Sequence, residues 1–407
     1  MDFEINNLLT LESKRQNEGI ELIASENYPS REVRKACGSV AICKYAEGYP
    51  HRRYYGGCAH IDAIEDLAIE RICKLFNCNF ANVQPHCGSS ANFAAYHALL
   101  PMGGTILSLD LNSGGHLTHG SPVSFSSDLY KFHFYQLSPD GHIDYADLKA
   151  KIALLKPDLI LCGASAYPYI IDFDKIRSII DAQKSYAYLM ADIAHIAGLI
   201  AAGRHPSPFP ACDVVTSTTH KTLRGPRGGI IMWNNENLSK RINSAVFPYT
   251  QGGPLENIIA AKAIMAREAA SDNFKFYIDN VLLNTKRARD TLANLGAVVS
   301  GTENHLFLLN TLASFNLNGK EAQEKLEAVG ITTNKNMIPG DTLPPAKTSG
   351  LRIGLAAMTS RGLKADQVEF LFEKIYYYLK GEISKEEISS TVKSITSRLL
   401  DIDSLVY

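Results

Sequence analysis

Between residues 60 and 270, short apolar runs alternate with amphipathic stretches, and this alternation restricts the fold more than any other feature. "TILSLD" (105–110), "LILCG" (159–163), "AYLMAD" (187–192), "DVVTST" (213–218) and "GGIIMW" (228–233) read as short buried strands. Stretches such as "DFDKIRSIIDAQKS" (172–185) carry a helical period between them. Continuous apolar strands separated by helices predict an α/β fold, with a mostly parallel sheet covered on both faces. Past residue 255 the pattern becomes long and helical. A smaller α+β section follows with "GLRIGLAAMTSRG", then helices to the C-terminus. The chain divides on this reading into an N-terminal arm (1–30), a large domain (31–269) and a small α+β domain (270–407). That fits 407 residues at roughly 150 per domain. The stretch "NKNMIPGDTLPPAKTSG" (334–350) reads as a long irregular loop, a kind that often carries function.

Composition narrows the function. Hydrophobic residues make up 45% and charged residues 20%, the balance of a soluble globular protein. A net charge of -1 argues against nucleic acid as a partner and against general membrane attraction, so any anion site must be local. Eight cysteines form no CxxC pair and no Cys/His metal spacing, which predicts reduced thiols, no metal and a cytoplasmic setting. The acidic, polar N-terminus is neither a signal nor a transit peptide, and no apolar run reaches about 18 residues, so no membrane span is expected.

Chemistry concentrates in a few places. In "STTHKTLRGPRGG", Lys221 stands after a predicted strand and before a Gly/Pro turn. Ligands of open α/β sheets gather at the carboxyl ends of strands, and a lysine there can form a Schiff base with an aldehyde cofactor. Alone, it is more often a surface charge. Pyridoxal phosphate also needs a carboxylate facing its ring nitrogen, and "MADIAHIAG" ends a predicted strand with Asp192, 29 residues before Lys221, and then His195. A helix cap and a satisfied buried histidine are the ordinary readings of those two. A phosphate needs a helix start with hydroxyls, and "NVQPHCGSSANFAAYHAL" runs strand, Cys87-Gly88-Ser89-Ser90, helix; an ordinary serine N-cap has the same pattern. His116, among the glycines of "GGHLTHGS", could stack on a ring or simply occupy a turn. Arg352, on the predicted strand of "TSGLRIG", could grip an α-carboxylate or make a salt bridge. The tyrosines of "KYAEGYPHRRYYGG" (44–57), with Glu47 among them, match neither the helical nor the strand period, which favours an ordered loop at a site.

These motifs, with "LIASENY" and "QGGP", run in order along nearly the whole chain. Together they resemble the serine hydroxymethyltransferases, fold-type I pyridoxal-phosphate enzymes. The resemblance implies a mostly parallel seven-stranded sheet in the large domain and a homodimer whose active sites are built from both subunits. It implies transfer of serine's hydroxymethyl carbon to tetrahydrofolate, giving glycine and 5,10-methylenetetrahydrofolate. By the same resemblance Lys221 carries pyridoxal 5'-phosphate as a Schiff base, Asp192 pairs with the ring nitrogen, and His116 stacks on the ring. His195 bonds the phenolic oxygen, with Ser165 nearby. Gly88, Ser89 and His220 serve the phosphate, joined by the second subunit's copies of Tyr45 and Gly252. Arg352 binds the substrate carboxylate, helped by Ser25 and by Tyr55 from the second subunit. Glu47, also from there, manages protons at the hydroxymethyl group. Leu111, Gly115, Leu117 and Asn336 match folate-contacting positions.

The chain departs from the family's usual pattern at His51 (commonly Gly), Ile42-Cys43 (Thr-Asn), Ser90 (Gln), Tyr249 (Gly) and Glu256-Asn257 (Met-His). These lie around the expected dimer and phosphate regions and remove no chemistry-bearing group; looser cofactor binding is the expected consequence. Two other readings are open on sequence. A folate-independent β-hydroxy-amino-acid aldolase of the same fold is disfavoured by Leu111, Leu117 and Asn336. A non-catalytic binding relative is disfavoured by the intact Lys221, Asp192 and Arg352.

Overall fold

The computed structural model describes residues 2–407. The chain resolves into two compact units, one of residues 32–275 and one of residues 1–31 with 276–407. The first thirty residues, expected as a separate arm, therefore belong with the C-terminal section.

The 32–275 unit is built on a seven-stranded sheet. Its order across the sheet is Phe80–Asn82, Gly229–Trp233, Val214–Thr218, Tyr188–Asp192, Leu159–Cys162, Thr105–Leu109 and Lys131–Tyr135. Gly229–Trp233 is antiparallel to both its neighbours, and every other pairing is parallel. The five apolar runs read as strands all lie in this sheet, and the central ones are buried along their length, as strands covered on both faces must be. Helices follow the strands, among them Gly88–Leu99, Tyr145–Leu155 and Phe173–Ala182, the last with Asp172 as its N-cap. One core cluster joins Ala91, Ala95 and Leu99 to Leu161, Met190, Val214, Ile231 and Trp233.

In the other unit, Gly350–Gly354 lies between Leu306–Asn310 and Asn334–Asn336 in an antiparallel sheet. The N-terminal segment is tied in by parallel pairing of Ile20 with Ile331 and by the Gly354 N–H donated to Leu22 O. Arg361, almost wholly buried, donates to the carbonyls of Gln16, Asn17, Gly19 and Leu400 and so fixes the end of the first helix, Phe3–Glu18. The 334–350 stretch is less irregular than its composition suggests. Its first three residues form an edge strand, and Asp341 accepts from both the N–H and the hydroxyl of Ser349. Among the described residues no helix is long and apolar enough to cross a membrane.

Candidate active site

Parallel strands end on the same edge of a sheet, which brings distant residues together. Asp192 is the last residue of its strand and is paired with Thr216 on the neighbouring strand, three residues before the chain reaches Thr219, His220 and Lys221. The helix Gly88–Leu99 starts at the same edge. A Cβ at Gly88 would come within 2.7 Å of the Thr218 methyl, so only glycine lets the helix start approach this closely. That start is a capping box: the Cys87 N–H donates to Ser90 Oγ at 3.1 Å, and the Ser90 N–H points at Cys87 Sγ. Ser90 thus orders the loop. The Gly88–Ser89 segment opens the helix with its N–H groups, a ready anion site.

Asp192 is held by a network that sequence reasoning missed. Its Oδ2 accepts from Asn92 Nδ2 at 2.8 Å and lies 3.1 Å from His119 Nε2, while Oδ1 accepts from the Ala194 N–H. Asn92 also donates to Thr118 Oγ1 and accepts from Thr216 Oγ1. The His116 N–H donated to His119 Nδ1 assigns the His119 proton to Nε2, facing Asp192. Burial opposes the charge on Asp192, but the bond and field of His119, the field of His116 and the Asn92 bond outweigh it and hold the carboxyl below the usual range. The only hint in the sequence was the second histidine of "HLTHGS", three residues after the one selected.

Around this pair the other expected residues take up positions. His116 Nδ1 lies 2.8 Å from Thr118 Oγ1, and its ring meets that of His119 edge to face. The Ser165 N–H donates to Gly114 O, which places Ser165 beside the glycine turn. His195 is buried, and its carbonyl accepts from Thr222 Oγ1, one residue past Lys221. Lys221 itself is 9% exposed. His220 Nδ1 is enclosed and has no hydrogen-bond partner among the described residues. Burial, with the charges of Arg227 and Lys221, pushes His220 down to about 3, so its ring is neutral at physiological pH. Leu111 and Leu117 are exposed on either side of buried Gly115, whose N–H donates to Asp110 O.

Tyr45, Glu47, Tyr55 and Gly252 form a second group in the same unit. The rings of Tyr45 and Tyr55 meet edge to face at 5.2 Å, and Gly252 lies against Glu47 Oε1. The charge of Glu47 pushes the exposed Tyr45 phenol up. Tyr49, from the same aromatic run, instead bonds Asn243 O and Asn82 and is structural.

In the other unit, Arg352 Nη2 donates to Ser25 Oγ at 3.4 Å and to Asn334 Oδ1 at 3.3 Å. Burial pushes the guanidinium down to about 10, so it remains a cation at neutral pH. Asn336 lies on the adjacent strand, paired with Gly350.

The 32–275 unit therefore holds a buried lysine, a largely buried charged carboxylate, a helix start with hydroxyls and an imidazole nitrogen without a hydrogen-bond partner among the described residues, at one sheet edge. Those are the parts that an aldehyde cofactor with a protonated ring nitrogen and a phosphate requires, and the donor set fits pyridoxal phosphate. Comparison with known proteins agrees. The family model described as serine hydroxymethyltransferase matches residues 1–375. A serine hydroxymethyltransferase of Sulfurovum sp. (strain NBC37-1) is 49% identical over 411 aligned positions, covering 100% of this chain and 98% of that protein. One of Campylobacter hominis is 48% identical with the same coverage. The chain belongs to the serine hydroxymethyltransferase family.

Proposed function

We propose that this chain interconverts serine and glycine with tetrahydrofolate as the one-carbon acceptor, using pyridoxal phosphate, and that the residues gathered above carry that chemistry. The observation that bears most weight is that Asp192 ends its strand and Lys221 lies three residues past the end of the adjacent parallel strand, beside the Gly88 helix start. Pyridoxal phosphate, when bound, supplies an electron sink for the charge left at Cα as the Cα–Cβ bond of serine breaks. Lys221 would hold the cofactor through its ε-amine. Asp192 keeps the ring nitrogen protonated; its suppressed proton affinity makes it a counter-ion rather than a competing acid. Gly88 and Ser89 bind the phosphate. His220, neutral, has a ring nitrogen free to serve the same group. His116 would lie against the cofactor ring, and His195 with Ser165 would hold its phenolic oxygen.

Arg352, with Ser25, takes the substrate carboxylate, which fixes the orientation of the bond to be cut. Glu47 moves the proton at the hydroxymethyl oxygen, and Tyr55 assists at the substrate. Leu111, Gly115, Leu117 and Asn336 meet the folate. We place Tyr45, Glu47, Tyr55 and Gly252 in the active site of a second copy, in a homodimer. Support comes from surface that a lone chain leaves wet: Phe3, Leu8 and Leu9 on the first helix, and Val40, Ile42 and Tyr54 around the tyrosine loop, are all exposed. The large domain is then the cofactor-binding one, and the setting is cytoplasmic, with eight free thiols.

The deciding experiment measures glycine formation from L-serine with and without tetrahydrofolate. A rate that rises with tetrahydrofolate supports the proposal. Serine cleavage at the same rate without it would make the chain an aldolase.

A further inference from the structure

Burying an ammonium is costly unless each of its protons finds an acceptor. Lys262, on the helix Glu256–Ala269, is 1% exposed and makes no ion pair among the described residues. Its three protons meet three backbone carbonyls instead: Val83 O at 2.6 Å, Gly229 O at 2.8 Å and Pro85 O at 3.2 Å. These carbonyls belong to two different segments. Val83 and Pro85 lead out of the edge strand into the Cys87–Ser89 helix start. Gly229 opens the return strand after the turn that follows Lys221. The ordered pairing of these strands ends at Asn82 and Ile231, and beyond it the Gly229 N–H donated to Pro85 O is joined only by the lysine.

The approach is close. A Cβ at Gly228 would lie 2.5 Å from Lys262 Cε, and one at Gly229 would lie 2.3 Å from Cys87 O. Burial pushes Lys262 down from 10.5 to about 7, opposed by the charge of Glu65, so the ammonium that three carbonyl acceptors call for is fully formed below neutral pH. The groups proposed to hold the phosphate at the helix start are neutral: backbone N–H groups, a hydroxyl and the His220 ring.

We infer that Lys262 is a positioning residue for the cofactor phosphate, tying the Val83–Pro85 and Gly229 backbones together and adding a buried positive charge behind the Gly88–Ser89 helix start. The inference rests on the reading that this helix start binds the phosphate of pyridoxal phosphate. A buried charge is poorly screened, so it acts on a phosphate dianion without touching it.

The test compares full-length wild type and Lys262→Met, both stripped of cofactor and titrated at a pH below 7, where Lys262 carries its proton, with pyridoxal 5'-phosphate and, separately, with pyridoxal, following cofactor absorbance. The expected result is a loss of at least about tenfold in affinity for the phosphorylated form, with less than about threefold change for pyridoxal. A residue that merely stabilises the fold would move both alike. Equal loss for both, or loss for neither, overturns the inference. Should the methionine variant not fold, Lys262→Gln, which keeps a donor without the charge, gives the same readout. Wild type that does not prefer the phosphorylated form overturns the phosphate assignment itself and the inference with it.

Discussion

Asn92 Nδ2 and His119 Nε2 converge on the same carboxylate oxygen of Asp192, at 2.8 and 3.1 Å. Two donors on one oxygen favour the charged form and fix the plane of the carboxylate. Asp192→Asn keeps the shape and removes the charge, and kcat is expected to fall by at least about a thousandfold, since the ring nitrogen loses its counter-ion. Asn92→Ala leaves the charge but strands buried Thr216 and one side of Asp192, so stability falls by about 1–3 kcal/mol and kcat by about tenfold. Steady-state kinetics with denaturant melts check both. Near wild-type turnover in Asp192→Asn would remove the carboxylate from the mechanism.

Lys221 and Arg352 are expected to separate by what they lose. Lys221→Ala abolishes multiple turnover. Arg352→Ala weakens serine binding by about 2–4 kcal/mol, the scale of a lost charge-assisted pair, with little change in cofactor affinity. The check is KM for serine beside a spectral titration of the cofactor. Equal losses in both would count against carboxylate capture by Arg352.

How far these features could be read in advance depended on how local their causes are. The apolar runs from Thr105 to Trp233 announced strands because burial on both faces leaves no polar alternation. "KFHFY" (131–135) escaped notice because it forms the sheet edge, where exposed and half-buried residues alternate. The affiliation of the first thirty residues was hidden because Ile20 pairs with Ile331, more than three hundred positions away. Within the site, Lys221 and Asp192 stood out through residue type and spacing. Asn92 and Thr216 did not, because an amide or hydroxyl inside a helix or strand has no sequence mark until the fold places a carboxylate beside it.

Glu256 sits 1% exposed beside Arg53, whose Nε and Nη2 are already engaged by Asp62 and Glu65. Arg53 Nη1 is 4.0 Å away, and neither Glu256 oxygen has a hydrogen-bond partner among the described residues. Burial and the charge of Glu65, opposed by Arg53 and Lys44, push it up from 4.5 to about 8. Its folded form binds a proton more tightly than the unfolded chain, so this group's contribution to stability declines as pH rises between those values. Glu256→Gln is therefore expected to leave stability near pH 5 (about) unchanged and to raise it by about 1–3 kcal/mol near pH 8.5. Urea melts at the two pH values check this, and a constant offset between wild type and variant would refute the assignment.

The backbone at His51 has φ 64°, in the left-handed region that favours glycine. A side chain there costs about 1–2 kcal/mol, less for residues that tolerate the region. Against this stands the contact of His51 Nε2 with Asp66 at 2.9 Å, between two exposed side chains, a pair worth about 0–1 kcal/mol at most. The His51 N–H donated to Asp62 Oδ2 at 3.1 Å belongs to the backbone and survives any substitution. Strain therefore outweighs the ion pair. His51→Gly is expected to stabilise the protein by about 0.5–1 kcal/mol, and His51→Ala, which keeps the strain and drops the pair, to destabilise it by a few tenths (about 0.3–0.5 kcal/mol). Denaturant midpoints of the three proteins decide the matter. A glycine variant less stable than the alanine one would show that the histidine side chain, not the turn, dominates this position.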